Sequence, residues 1–241
     1  MEEIKTLSDM LAVDIGFPCG PGIMPLATTV SLLKTQEACL RRGVPLGMQF
    51  VKGCSLVTTA RDMVVDRFLR GPSKYLFWID ADMSWEPQDF IKLLALATRK
   101  DVLCGTYPTK NEQRTITVQQ DEDHLEMDQY GLLRIGGTGL GFCVMRRSIV
   151  EEIASQSPRV YSTLLEREIA AVFRLDVVTD DKGVRQSRGE DAAFFADLRY
   201  LGYTIWLDPT IQLGHIGDCE YRRDPAEALR LRSAFQELQV A

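Results

Sequence analysis

The run Tyr75-Leu-Phe-Trp-Ile79 places five large apolar side chains side by side. On a strand, successive side chains point to opposite faces, so both faces of this segment need apolar cover. That is the pattern of a central parallel strand in an α/β fold, with helices packed on either side. The flanking sequence agrees. Residues 11–17 (LAVDIGF) read as a short buried strand ending at Pro18, and residues 25–41 as a helix with Val30, Leu33 and Ala38 on one face. A strand over 44–51 follows, then a helix over 57–69 carrying Val57, Ala60, Val64 and Phe68 at three- and four-residue spacing. Gly71-Pro72 stops it. A helix over 87–99 opens on Pro87, and 101–107 reads as a strand. The expected fold is therefore α/β, with a mixed, mostly parallel sheet flanked by helices.

The second half is less regular. Residues 110–134 are polar and acidic around Asp121-Glu-Asp123, with the character of a hairpin excursion. Gly136-Gly-Thr-Gly139 leads into a strand over 140–145 and a helix from about Arg147. Gly189-Glu-Asp191 opens a helix closed by Gly202, residues 203–207 read as a strand, and 225–238 as a terminal amphipathic helix. No repeat or linker divides the 241 residues, so a single domain spanning 1–241 is expected.

Composition narrows the function classes. With 45% hydrophobic and 26% charged residues, the chain is neither disordered, collagen-like nor coiled-coil. Its net charge of −6 makes the surface a poor attractor for nucleic acid or anionic membrane. Six cysteines without a C-x-x-C pair support no zinc ribbon and read as reduced, buried thiols. Residues 15–33 carry no charge, yet Gly16, Pro18, Gly20, Pro21, Gly22 and Pro25 break the first half of that stretch. No signal peptide is evident, and the expectation is a cytoplasmic protein without an integral membrane segment.

Three segments carry chemistry. Asp80-Ala81-Asp82 follows YLFWI directly, which puts two carboxylates at a strand's carboxyl end, where open α/β sheets bind ligands. Two close anions favour a hard divalent cation, although aspartates also commonly follow buried strands as solvated loop residues. Glu190-Asp191 opens a helix, where acidic residues stabilise the dipole. The functional reading makes Asp191 a general base, with Glu190 orienting the acceptor or fixing the loop. His215, between Gly214 and Gly217, is one of two histidines and a chemically reasonable partner for Mn²⁺ beside carboxylates. His124 reads as a solvated surface residue.

Taken in order, strand–D-x-D, an E-D helix ending Leu-Gly-Tyr203, then Asp208-Pro and Leu-Gly-His215-Ile-Gly, the chain resembles the GT-A-type nucleotide-sugar glycosyltransferases from about Ala12 to Gly217. Further matching pieces are Thr59-Ala-Arg61-Asp62, Tyr107-Pro-Thr-Lys110 and Gly137-Thr-Gly139-Leu-Gly-Phe142. The resemblance implies a Rossmann-like GT-A fold, with a donor-binding half over about 1–110 and an acceptor and catalytic half over about 111–220. It implies Mn²⁺ or Mg²⁺ as cofactor and a nucleoside-diphosphate sugar, UDP-sugar foremost, as donor. Phe17 and Pro18 would cradle the base, and Asp80 and Ala81 would lie near the ribose or metal. Asp82 and His215 would ligate the cation beside Asp80, Arg61 and Lys110 would meet the donor's phosphates or sugar, and Gly139 would border the donor. Asp62 departs from the asparagine often found at that position. A hydroxyl acceptor is implied and its class stays open: a glycan, a small molecule, a protein or a hydroxymethylated DNA base. Two alternatives stand beside this reading. One is a haloacid-dehalogenase-type phosphatase, which also begins with strand–D-x-D; the other is a non-catalytic sugar-nucleotide-binding module.

Overall fold

The computed structural model describes residues 11–119, 126–180 and 182–230. Its centre is a seven-stranded sheet. The strands are β1 (Val13–Pro18), β2 (Leu46–Val51), β3 (Tyr75–Ile79), β5 (Val102–Cys104), β7 (Leu133–Ile135), β9 (Phe142–Arg146) and β14 (Ile205–Leu207), in the order β2-β1-β3-β9-β5-β14-β7. β1 pairs in parallel with β2 and β3, and β14 with β5, whereas β9 is antiparallel to both its neighbours and β7 to β14. Five strands thus share one direction and two oppose it. This is a mixed, mostly parallel, Rossmann-like sheet, as the α/β pattern of the sequence predicts.

All five residues of β3 are buried, as their apolar character requires. Their alternation sorts the two faces. Leu76 and Trp78 join the core under α2 (Val57–Arg70), α4 (Arg147–Gln156) and α5 (Glu190–Tyr200). Tyr75, Phe77 and Ile79 join the other core, under α1 (Leu26–Arg41) and α3 (Pro87–Leu96). Burying each such side chain contributes about 1.5–3 kcal/mol. Gly16 lets α2 close on β1, since a Cβ there would lie 2.5 Å from Val64 Cγ1. Asp14, buried within β1, accepts hydrogen bonds from Ser73 Oγ (2.5 Å) and Gln49 Nε2 (2.9 Å).

The apolar face of α1 is a correction. Val30 and Leu33 are exposed, and the buried face consists of Thr28, Ser31, Leu32, Thr35 and Cys39. For Ser31 and Thr35 the reason is Trp85. Its backbone N–H donates to Ser31 Oγ (3.1 Å) and its indole N–H to Thr35 Oγ1 (2.8 Å), while the Thr35 hydroxyl donates to Ser31 O (2.8 Å). Hydroxyls whose bonds are met internally can be buried without the usual desolvation cost.

The remaining strands are small. β4 (Met83–Ser84), β15 (Gly214–Ile216) and β16 (Glu220–Arg222) form a three-stranded sheet in the order β16-β15-β4, and β6 (Val118–Gln119) pairs with β8 (Gly137–Thr138). Two hairpins, β10 (Arg159–Ser162) with β11 (Arg167–Ala170) and β12 (Asp176–Thr179) with β13 (Arg185–Arg188), occupy a stretch without a clear sequence pattern. Asp121, His124 and residues 231–238 of the expected terminal helix lie outside the described residues; 225–230 are helical. All six cysteines are free, five of them buried and Cys219 exposed. Among the described residues no helix is long and apolar enough to cross a membrane.

Replacing Thr35 by valine keeps the shape and strands the Trp85 indole N–H. Urea unfolding should register a loss of about 1–3 kcal/mol, whereas Leu33→Gln on the exposed face should stay within about 0.5 kcal/mol of wild type. Equal costs at the two positions would contradict the observed orientation of α1.

Candidate active site

The site forms where β1 and β3 end. A cleft of about 630 Å³ is lined by Pro18, Pro21, Ile23, Pro25, Val57, Arg61, Asp80, Ala81, Asp82, Tyr107, Glu190, Asp191 and His215. Apolar side chains from the loop after β1 and the start of α2 make one wall. The charged groups make the other. Segments near residues 80, 190 and 215 therefore meet in one cavity.

Arg61 organises the charged wall. It projects from α2 with 3% of its side chain exposed, and its guanidinium contacts Asp80 Oδ1 (3.2 Å), Glu190 Oε1 (3.1 Å) and Asp191 Oδ1. The Phe173 ring lies 5.6 Å from its Cζ. Burial works against its charge, but the surrounding carboxylates more than offset this and hold its pKa above the usual arginine value. Asp191 is also fixed by the Leu140 N–H, which donates to Oδ2 at 3.2 Å. Burial pushes the Asp191 carboxyl up and Arg61 opposes that shift.

The second charged group surrounds Asp82. Lys110 Nζ pairs with Asp82 Oδ2, and His215 Nε2 lies 3.6 Å from Asp82 Oδ1. His215 Nδ1 is 2.9 Å from the Pro108 carbonyl, which can only accept, so Nδ1 carries the hydrogen. In the neutral ring Nε2 then presents a lone pair towards Asp82, the orientation that a metal-binding imidazole needs. Three carboxylates around one guanidinium also leave a formal surplus of two negative charges. These features fit a divalent cation at Asp82 and His215. Asp80 shares the cleft with them, its Oδ1 turned to Arg61. Among the described residues no group of three or more His, Cys, Asp or Glu could hold a metal ion by itself.

Several expected site residues take other places. Phe17 is fully buried and stacked on Phe50 (5.0 Å, 6°), so only Pro18 of that pair reaches the cleft. Arg61 lines the cleft with both terminal nitrogens of its guanidinium turned to Asp80, Glu190 and Asp191. Gly139 stands behind Tyr107, whose phenol would overlap a Cβ at that position. Sequence reasoning gave no role to Tyr107, to the Leu140 N–H or to the wall of Pro21, Ile23, Pro25 and Val57. The available signal was positional, since Tyr107 follows β5 at the same sheet edge as Asp80.

No protein-family model matches the chain, and no curated protein matches it in sequence. Among solved structures, A197 from STIV is similar over 89% of this chain and 91% of its own length, at 18% identity with a TM-score of 0.56. That likeness concerns the fold. Two weaker ones are a glycosyltransferase involved in glycosylation of the major capsid of PBCV-1 (10% identity, 58% of this chain and 63% of that one, TM-score 0.35) and GalNAc-T7 with UDP, GalNAc and Mn²⁺ (12% identity, 92% of this chain and 40% of that one, TM-score 0.45). Neither is close enough to bear on function.

Asp62, the neighbour of Arg61, faces away from the cleft. Its Oδ1 accepts the N–H groups of Val172 (2.8 Å) and Phe173 (3.0 Å), and burial pushes its pKa from 3.8 up to about 7, against those two bonds. The folded state then holds a proton that the unfolded chain has lost, so stability falls as pH rises from about 4 to about 7. Asp62→Asn retains an oxygen for both donors and removes this dependence. Thermal and urea unfolding should find the variant equal to wild type near pH 4 and more stable at pH 8, by on the order of 3 kcal/mol.

Proposed function

We propose that this protein is a metal-dependent glycosyltransferase, moving a sugar from a nucleoside diphosphate to a hydroxyl acceptor. The reading is supported above all by one observation: Asp80, Asp82, Glu190, Asp191 and His215 line a single cleft at the carboxyl ends of β1 and β3. Residues 1–110 supply the donor side and 111–220 the acceptor and catalytic side. The donor is a UDP-sugar, its base against the wall of Pro18, Pro21, Ile23, Pro25 and Val57. Asp82 and His215 would hold the Mn²⁺ or Mg²⁺ ion, with Asp80 beside them in the same cleft. When bound, that ion offsets the negative charge of the departing diphosphate.

The chain's own residues do the rest. Asp191, anchored through Arg61 and the Leu140 N–H, keeps 27% of its side chain exposed towards the cleft. Its raised pKa suits proton capture. As the acceptor oxygen bonds to the sugar's C1, the C1–O bond to the diphosphate breaks and the diphosphate leaves with that electron pair. The acceptor proton passes to Asp191, and attack from the face opposite the leaving group inverts the anomeric centre. Glu190, bonded to Arg61, orients the acceptor beside it. Lys110, which pairs with Asp82, is the cation that would meet the diphosphate.

A thermal-shift screen of UDP-sugars and free UDP, with and without Mn²⁺, tests the donor and metal together. The expected outcome is a Mn²⁺-dependent shift that Asp82→Asn and His215→Ala abolish. Asp191→Asn should keep that shift while transfer falls by about 10³-fold or more. Wild-type activity should rise with pH through an acid limb above the ordinary carboxylate range. Full turnover by Asp191→Asn would remove this residue as base, and a shift by phosphomonoesters instead of sugar nucleotides would overturn the reading.

A further inference from the structure

Tyr107 touches both halves of the charged wall. Its ring meets His215 edge-on, with centroids 4.9 Å apart and 72° between the planes. The next residue, Pro108, supplies the carbonyl that accepts the His215 Nδ1–H. The imidazole is thus held in its plane by Pro108 and from the side by Tyr107. At its other end, the Tyr107 hydroxyl oxygen accepts the Gly141 N–H at 3.0 Å. The turn carrying Gly141 also holds the backbone of Asp80 and the carboxylate of Asp191: Asp80 N–H donates to Gly141 O (3.2 Å), and Leu140 N–H donates to Asp191 Oδ2 (3.2 Å).

The glycines of this turn answer to the phenol. A Cβ on Gly139 would overlap Tyr107 Oη, and one on Gly141 would lie 2.7 Å from that oxygen and 2.9 Å from Asp80 Oδ2. Distances under 3 Å leave a side chain no room unless something shifts.

We propose that Tyr107 is a positioning residue that sets the spacing between Asp82–His215 and Asp80–Asp191, and that Gly139 and Gly141 are glycine to admit its phenol. This rests on the reading of the cleft as a metal-dependent transfer site. The ring governs His215 and the hydroxyl governs the turn, so the two contacts separate by substitution.

The test compares wild type with Y107F, Y107L, G139A and G139A/Y107L. Mn²⁺ affinity in the presence of UDP is read by electron paramagnetic resonance, turnover by UDP release from UDP-sugars, and stability by thermal unfolding. Y107F keeps the ring, so Mn²⁺ affinity should stay within about twofold while turnover falls about tenfold. Y107L loses both contacts, and Mn²⁺ affinity should also fall about tenfold or more. G139A should lower Tm, and adding Y107L should restore at least part of that loss, a coupling that independent sites do not show. Y107F turnover within about twofold of wild type, unchanged Mn²⁺ affinity in Y107L, or additive Tm losses would each overturn the proposal. A wild type that binds no Mn²⁺ with UDP would instead overturn the functional reading, and the Tm comparison would still decide whether phenol and glycines are coupled.

Discussion

The charged wall of the cleft depends on one buried cation. Asp80, Glu190 and Asp191 come from a strand end and a helix start more than a hundred residues apart, and Arg61 contacts all three. Without it, partly buried carboxylates would face one another with no compensating charge, a situation that typically costs 3–5 kcal/mol when one partner of a buried pair is removed. Arg61 can do this because α2 is rigid where it matters. Residues 60–65 are all buried, between β1 and β2 on one side and β11 and α4 on the other. The guanidinium is fixed by packing of its backbone, and the carboxylates then align to it.

Topology supplies the second constraint. In a purely parallel sheet each strand would deliver its carboxyl end to the cleft and nothing else. β9 runs against its neighbours β3 and β5, so the turn that precedes it, Gly139–Gly141, arrives at the same edge as Asp80 and Tyr107. That turn contributes backbone N–H groups, which carry no charge and cannot rotate away. Leu140 N–H holds Asp191, and Gly141 N–H holds Tyr107. Fixed donors beside ionised groups are the usual means of orienting a site in advance of its ligand.

Patterns that depend on period or on chain order were legible in the sequence. YLFWI could only be a strand covered on both faces, and the carboxylates after it could only fall at the sheet's carboxyl edge. What failed depended on partners distant in sequence. Val30 and Leu33 read as part of the apolar face of α1, and only Trp85, some fifty residues on, accounts for the burial of the Ser31 and Thr35 hydroxyls instead. Arg61 read as a ligand for phosphate, and nothing in the sequence, which reports a charge and not its surroundings, announced the three carboxylates around it. Phe17, at the end of β1, was assigned to the cleft, yet strand alternation sends its ring to the core and leaves Pro18 at the surface of the cleft. The hairpins between Arg159 and Arg188 are short and largely exposed, so neither apolar alternation nor burial marks them.

Arg61 and Asp62 show why adjacent charges in a buried helix need not pair with each other. Neighbouring helical residues point about 100° apart, so Arg61 reaches the cleft while Asp62 turns towards the backbone of Val172 and Phe173. Phe173 in turn packs against the Arg61 guanidinium and stacks on Phe194 of α5 (4.7 Å, 19°), the helix that begins with Glu190-Asp191. One turn of α2 therefore fixes the carboxylates directly through Arg61 and the helix that carries two of them through Asp62 and Phe173. Both routes end on the same helix, so a shift of α5 would have to break an ion pair and an aromatic stack together. That shared anchorage keeps the charged wall in one arrangement despite the repulsion among its acids.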